Sequence, residues 1–170
     1  MSVDVRPVRD DELPAVAELV ARAYVVDGLI TPDHEYVEEL RAAADRAARA
    51  TVLVAVEPDG TVAGTVTLAV PPSSYAEIAA EGEAEIRMLA VDPAARGRGL
   101  GEVLMRAATD RARDAGARTL VLTTIDTMRS AHRLYERLGL VRAPERDWGD
   151  DPDYQLWVYV APLRPAAEVR

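Results

Sequence analysis

The chain has 170 residues, 49% of them apolar and 29% charged, with a formal net charge of −9 and no cysteine. This describes a single globular domain built on one core, and excludes a disordered or low-complexity chain. The acidic balance disfavours nucleic acid and anionic membrane as partners, and the missing cysteine removes disulfides, thiolate metal ligands and a cysteine acyl-enzyme.

No early apolar run reads as a signal peptide, and no apolar run of about 18 residues would span a membrane, so a cytoplasmic location is expected. The two histidines, His34 and His132, are too isolated in sequence for a metal site, and no metal is expected.

In chain order, Val3, Val5 and Val8 among polar neighbours predict a first strand. Asp10 or Asp11 is placed to cap a helix striped by Leu13, Val16, Leu19, Val20 and Ala23. Gly28 and Pro32 break the chain, and an alanine-rich, half-exposed helix is predicted from about Asp33 to Arg49. Thr51 to Val56 and Val62 to Val70 flank Pro58-Asp59-Gly60, a hairpin signal. Pro71 to Gly82 is a polar connection long enough to shape a site.

The strand predicted at about Glu83 to Val91 changes phase. Glu83, Glu85 and Arg87 alternate with Ala84, Ile86 and Met88, and then Leu89 and Val91 put apolar residues on the charged face. Burial of both faces and a bulge near Met88 or Leu89 explain this equally well. Asp92-Pro93 stops the strand, and Arg96-Gly97-Arg98-Gly99-Leu100-Gly101 leads into a helix striped by Leu100, Val103, Leu104, Ala107, Ala108 and Ala112 and ended by Gly116.

Strand, glycine-rich turn and helix in that order build a phosphate cradle, in which backbone N–H groups and a helix N-terminus meet the anion. Arg96 and Arg98 add charge-assisted donors suited to phosphate. A P-loop is excluded because Glu102-Val103 follow Gly101 and the chain has no lysine. A dinucleotide fingerprint fails at Glu102 or Leu104, where a small residue is required.

Thr119 to Thr124 is a short strand, and strand–helix–strand spacing implies that it runs parallel to the one before the glycine loop. Met128, Ala131, Leu134, Tyr135 and Leu138 stripe a further helix ended by Gly139, with His132 on a neighbouring, solvated face. Leu140 to Ala143 and Tyr154 to Val160 give two last strands around an acidic loop. The order predicts an α/β domain with a mixed sheet of about seven strands flanked by about four helices, the core running from about residue 3 to 162.

Two segments carry a family resemblance. Ala84-Glu85-Ile86 through Asp92-Pro93 to Arg96-Gly97-Arg98-Gly99-Leu100-Gly101 resembles the acyl-CoA pyrophosphate loop of the GNAT superfamily of N-acetyltransferases. Ala131-His132-Arg133-Leu134-Tyr135-Glu136-Arg137-Leu138-Gly139-Leu140 resembles a second segment of that family, with Met128 where the family often has asparagine. The resemblance implies a GNAT-like acyl-CoA N-acyltransferase fold and direct transfer of an acetyl group from acetyl-CoA to a primary amine. Backbone groups of Leu89, Ala90 and Val91 would pair with the pantetheine arm, and Arg96 to Gly101 would hold the pyrophosphate. Ala131 would join them, Glu85 would be the general base with Glu83 as fallback, and Tyr135 the general acid.

The acceptor site is expected from the first two helices between Tyr24 and Tyr36, the Pro71 to Gly82 loop and the Trp148 to Tyr154 loop. These hold Asp27, Asp33, Glu35, Glu77, Glu81, Asp150, Asp151 and Asp153, which suit a positively charged acceptor. Relatives often form homodimers, though no interface is legible here. The rival readings are a catalytically silent acyl-CoA-binding module and a different nucleotide-binding α/β protein.

Overall fold

Among residues 2–165, which the computed structural model describes, strand and helix follow one another in the predicted order. The strands are β1 (Asp4–Pro7), β2 (Thr51–Val56), β3 (Val62–Ala69), β4 (Glu83–Val91), β5 (Thr119–Ile125), β6 (Val141–Arg142) and β7 (Leu156–Pro162). The helices are α1 (Leu13–Val26), α2 (Tyr36–Arg41), α3 (Ala43–Arg49), α4 (Leu100–Asp114) and α5 (Arg129–Arg137). The seven strands form one mixed sheet in the order β1-β2-β3-β4-β5-β7-β6. Two compact units share β4 and α4: one holds the residues up to Leu68 with Met88–Ala108, the other Ala69–Arg87 with the residues from Thr109 onward.

In the first unit β1 and β3 both run antiparallel to β2. The predicted hairpin turns at Gly60, whose N–H donates to Glu57 O. All eight positions of β3 are buried, so this strand has no solvent face. A Cβ on Gly64 would stand 2.8 Å from Leu104 Cδ1 and 3.3 Å from the Ala90 carbonyl oxygen, so a side chain here would displace Leu104 and crowd the β4 backbone. The core joins Val16, Leu19, Val20 and Ala23 of α1 to Val52, Val54, Val62, Met88 and Ala90.

Three local expectations are corrected here. Neither Asp10 nor Asp11 caps α1. The chain enters it through a 3-10 turn at Asp10–Glu12, where Glu12 accepts the Arg9 N–H at 2.8 Å and is gripped by Arg6. The predicted single helix from Asp33 to Arg49 is two helices broken at Ala42 (ψ 51°). Fully buried Arg46 spans the break: its guanidinium donates to Glu39 O at 3.1 Å, which also accepts the Ala42 N–H, and to Leu40 O at 3.2 Å. On α4, Val103 is 42% exposed and Met105 takes its place in the buried stripe with Leu100, Leu104, Ala108 and Ala112.

The second unit holds the predicted parallel pair, with β4 and β5 in register from Glu83↔Thr119 to Ile86↔Leu122. β7 runs antiparallel to all of β5, and short β6 pairs with β7 at the edge. Val121, Ala143 and Val158 form a core against which Ile78 and Ala79 of the β3–β4 loop pack. That loop is therefore a folded part of the unit.

Candidate active site

The glycine loop forms as its residues dictate. The Asp92 N–H donates to Ala63 O, its carboxylate accepts the Ala94 N–H at 2.9 Å, and Pro93 opens a single 3-10 turn ending at Ala95. The backbone then passes through positive φ at Gly97 (79°) and Gly99 (78°), the region that favours glycine. The Val103 N–H donates back to Gly99 O, so the N–H groups of Leu100 and Gly101 stand ahead of the helical ladder. A Cβ on Gly97 or Gly99 would meet no atom within 4 Å, so the loop faces open space at both glycines.

The two arginines do not stand free. Arg96 makes a two-point ion pair with Asp27 at 2.7 and 3.1 Å, and Arg98 makes one with Glu57. The Arg98 guanidinium pulls the Glu57 carboxyl below its ordinary range. Asp92 is likewise paired with Arg22. Upstream, Met88 is buried at φ 53°, a left-handed backbone in mid-strand. Of the two explanations for the phase change, this is the bulge, and it sits one residue before Leu89, Ala90 and Val91. The first half of β4 is also buried on both faces, at Ala84, Glu85 and Ile86.

Glu83 and Glu85 share a strand face yet differ in chemistry. Glu85 is 1% exposed, and its Oε1 accepts the N–H groups of Ile78 at 2.8 Å and Ala79 at 2.9 Å. Burial pushes its carboxyl above the ordinary glutamate value, against the opposing pull of those two donors. Glu83 makes a two-point ion pair with Arg146 at 2.8 Å in each contact and accepts the Ala80 N–H. The Arg146 bonds hold its carboxyl below the ordinary value.

Tyr135 is buried on α5, where desolvation pushes its phenol up to about 12. Its ring packs 5.8 Å from that of Tyr159. His132, expected in solvent, is instead buried, and this is a further correction. Its ring stacks on Trp157 at 5.3 Å and Tyr159 at 5.7 Å, and Nε2 donates to Ile125 O at 3.0 Å. The Arg142 guanidinium also lies over the Trp157 ring, 4.3 Å from its centroid, and is held by Asp147. Ala131 is half-buried in the first turn of α5, and the Met128 sulfur accepts from the Thr124 hydroxyl.

Several of the acidic residues assigned to the acceptor are engaged by arginines or lie in solvent. Asp27 belongs to Arg96, Glu77 lies 3.9 Å from Arg87, and Asp150, Asp151 and Asp153 are exposed. Trp148 is 38% exposed and its indole N–H donates to the Thr123 hydroxyl at 3.0 Å. Sequence reasoning missed Arg146, which comes 63 residues after its partner Glu83, and it missed Tyr159. Among the described residues no cluster of three His, Asp or Glu side chains could hold a metal ion, and no helix is long and apolar enough to cross a membrane.

Comparison with known proteins gives this geometry a family. A mycothiol acetyltransferase of Cellulomonas flavigena is 39% identical over 88 residues, covering 51% of this chain, while the chain spans 25% of that relative's length. A Salmonella typhimurium protein solved with its cofactor acetyl-CoA superposes with a TM-score of 0.74 at 22% identity, over 98% of this chain and 97% of its own. PaiA N-acetyltransferase from Thermoplasma acidophilum, in complex with coenzyme A, superposes with a TM-score of 0.74 at 15% identity, over 93% of this chain and 98% of its own. These superpositions establish the fold. The acetyltransferase (GNAT) family model matches residues 13–140, a stretch that contains the Met88 bulge, the glycine loop and α5, and the chain belongs to that family.

Proposed function

We propose that this chain is an N-acetyltransferase that moves the acetyl group of acetyl-CoA to a primary amine by direct transfer. The observation that carries the reading is the open Arg96–Gly101 loop, whose two positive-φ glycines lead straight into the N-terminus of α4. An open glycine loop at a helix N-terminus suits a pyrophosphate, and the coenzyme A and acetyl-CoA held by the Thermoplasma and Salmonella proteins support it. In this reading Arg96, Gly97, Arg98, Gly99, Leu100 and Gly101 hold the phosphates. The backbone of Leu89, Ala90 and Val91, following the Met88 bulge, holds the pantetheine amides, and Ala131 lies beside the same arm.

Bound acetyl-CoA supplies an acetyl thioester. An amine of pKa near ~10 arrives protonated and must lose a proton before it attacks. Glu85 is the better base of the two candidates, because burial raises its proton affinity while Arg146 lowers that of Glu83. Tyr135, at about 12, stays protonated and offers an O–H to the sulfur as it gains charge. A thiol titrates near ~8.5, so complete transfer from the phenol is uphill by roughly 5 kcal/mol, and Tyr135 acts chiefly as a hydrogen-bond donor. The acceptor in this reading carries a positive charge, as an amino sugar, a polyamine or a protein N-terminus does, in keeping with the net charge of −9.

Calorimetric titration with acetyl-CoA tests the reading. Micromolar binding is expected for the wild type, with at least about a tenfold loss in Gly99→Glu, whose new side chain enters open space and the anion's place at a strain cost of roughly 1–2 kcal/mol. No binding by folded wild type removes the proposal. Tyr135→Phe should bind acetyl-CoA as well as the wild type while turnover falls about 100-fold. Binding with no acetylation of any amine in a broad panel would make the chain an acyl-CoA-binding module. The hold of Glu85 on the loop backbone favours that second reading.

A further inference from the structure

The Ile78–Ala79 peptide lies between two charged side chains. Its carbonyl, Ile78 O, accepts from Arg146 Nη2 at 3.2 Å, and its N–H, on Ala79, donates to Glu85 Oε1 at 2.9 Å. The Ile78 N–H completes the hold on Glu85 at 2.8 Å. Arg146 itself is fixed by two bonds to Glu83, whose Oε1 also accepts the Ala80 N–H. All of these residues belong to one compact unit.

A peptide whose carbonyl binds a cation is polarised, and its N–H becomes a stronger donor. Positive charge is thereby relayed to a carboxylate that has 1% of its surface in water. We propose that Arg146 is a positioning residue for Glu85: through the Ile78–Ala79 peptide it fixes the carboxylate's orientation and stabilises its ionised form. The inference rests on Glu85 as the base of the proposed reaction, but its physical content does not depend on catalysis.

The groups facing Glu85 set the expected signs. Arg87 favours the ionised form and Glu77 opposes it, Arg146 is an attractive partner of Glu85, and Glu83, two residues away on the same strand face, carries a like charge that Arg146 neutralises. Removing Arg146 takes away a cation and leaves Glu83 uncompensated, and both changes raise the proton affinity of Glu85. Removing the Glu83 charge while keeping Arg146 on Ile78 O acts in the other direction. A purely structural role for the ion pair would make the two losses equivalent.

The test is a carbon-13 NMR titration of glutamate side-chain carboxyls in the full chain, with the Glu85 resonance assigned by its loss in Glu85→Gln. In Arg146→Gln, which keeps an amide donor for Ile78 O but no charge, the Glu85 midpoint should rise by about 1 pH unit. In Glu83→Gln it should stay or fall. Arg146→Met, which removes the donor as well, should show at least the rise of Arg146→Gln, and either variant suffices if the other does not fold. An unmoved midpoint in a folded Arg146 variant, or an equal rise in Glu83→Gln, overturns the proposal. In an active wild type the acidic limb of kcat/KM should move with the midpoint. A midpoint that shifts in a protein acetylating no amine would keep Arg146's role and remove the acetyl-transfer reading instead.

Discussion

Glu85→Gln is expected to lower kcat/KM for amine acetylation by about 10²- to 10³-fold while leaving both the fold and acetyl-CoA binding intact. The substitution is nearly isosteric, and the amide oxygen of glutamine can accept the same Ile78 and Ala79 N–H groups that now meet Oε1. The loop should therefore keep its place, and only the ability to take a proton is lost. Stability should respond in the opposite sense to activity. The folded-state pKa of Glu85 is raised, so the native protein binds this proton more tightly than the unfolded chain does. Wild-type stability from this group is full below the ordinary value of 4.5 and is lost as pH rises through the folded value. Glu85→Gln should thus melt at or above the wild-type temperature at pH 8, with the gap closing toward pH 4.5. A thermal scan at the two pH values, beside a kcat/KM measurement, checks both halves. A variant that melts well below wild type at pH 8 would show the carboxylate to be structural.

The largest stability effect is expected at Arg46. This side chain is fully buried, and its guanidinium donates to the carbonyls of Glu39 and Leu40 where α2 ends. Arg46→Ala strips both bonds and opens a void beside Leu40, itself fully buried. Glu39 O keeps the Ala42 N–H, but Leu40 O loses the guanidinium, and an unsatisfied buried acceptor costs about 1–3 kcal/mol; with the void added, a total loss of about 3 kcal/mol is expected. In a domain of this size that lowers the melting temperature by roughly 6–12 °C. Arg46→Met keeps most of the volume and loses only the bonds, so its melting temperature should lie between those of the alanine variant and the wild type. Equal melting of all three by circular dichroism would mean that the break between α2 and α3 is held by other contacts.

The contrast between Arg46 and the glycine loop shows which features the sequence made legible. The loop could be read because each step is local: Asp92-Pro93 stops a strand, Gly97 and Gly99 permit positive φ, and an apolar stripe opens α4. The hairpin at Gly60 and the parallel pair β4–β5 were legible for the same reason, being fixed by spacing along the chain. The break at Ala42 was not, because an arginine folding back over the preceding helix spans it, and composition alone marks such a residue as exposed. His132 was misplaced because the aromatic rings that cover it, Trp157 and Tyr159, come from β7. Periodicity put Glu83 and Glu85 on one face but could not tell them apart. The difference lies in Arg146, and its distance in sequence leaves no local trace.

The carboxylates clasping Arg96 and Arg98 make these side chains sites of counter-ion exchange. A phosphate that reaches either guanidinium gains a partner only as Asp27 or Glu57 loses one, so the number of ion pairs changes little. Affinity for such an anion should vary weakly with ionic strength, unlike that of a loop with bare arginines. Asp27 also stands at the C-terminal end of α1, where the helix dipole is negative. On the proposed reading, an anion that took Arg96 away would leave that carboxylate in the least favourable place on its helix, so occupancy of the loop would be felt at the end of α1.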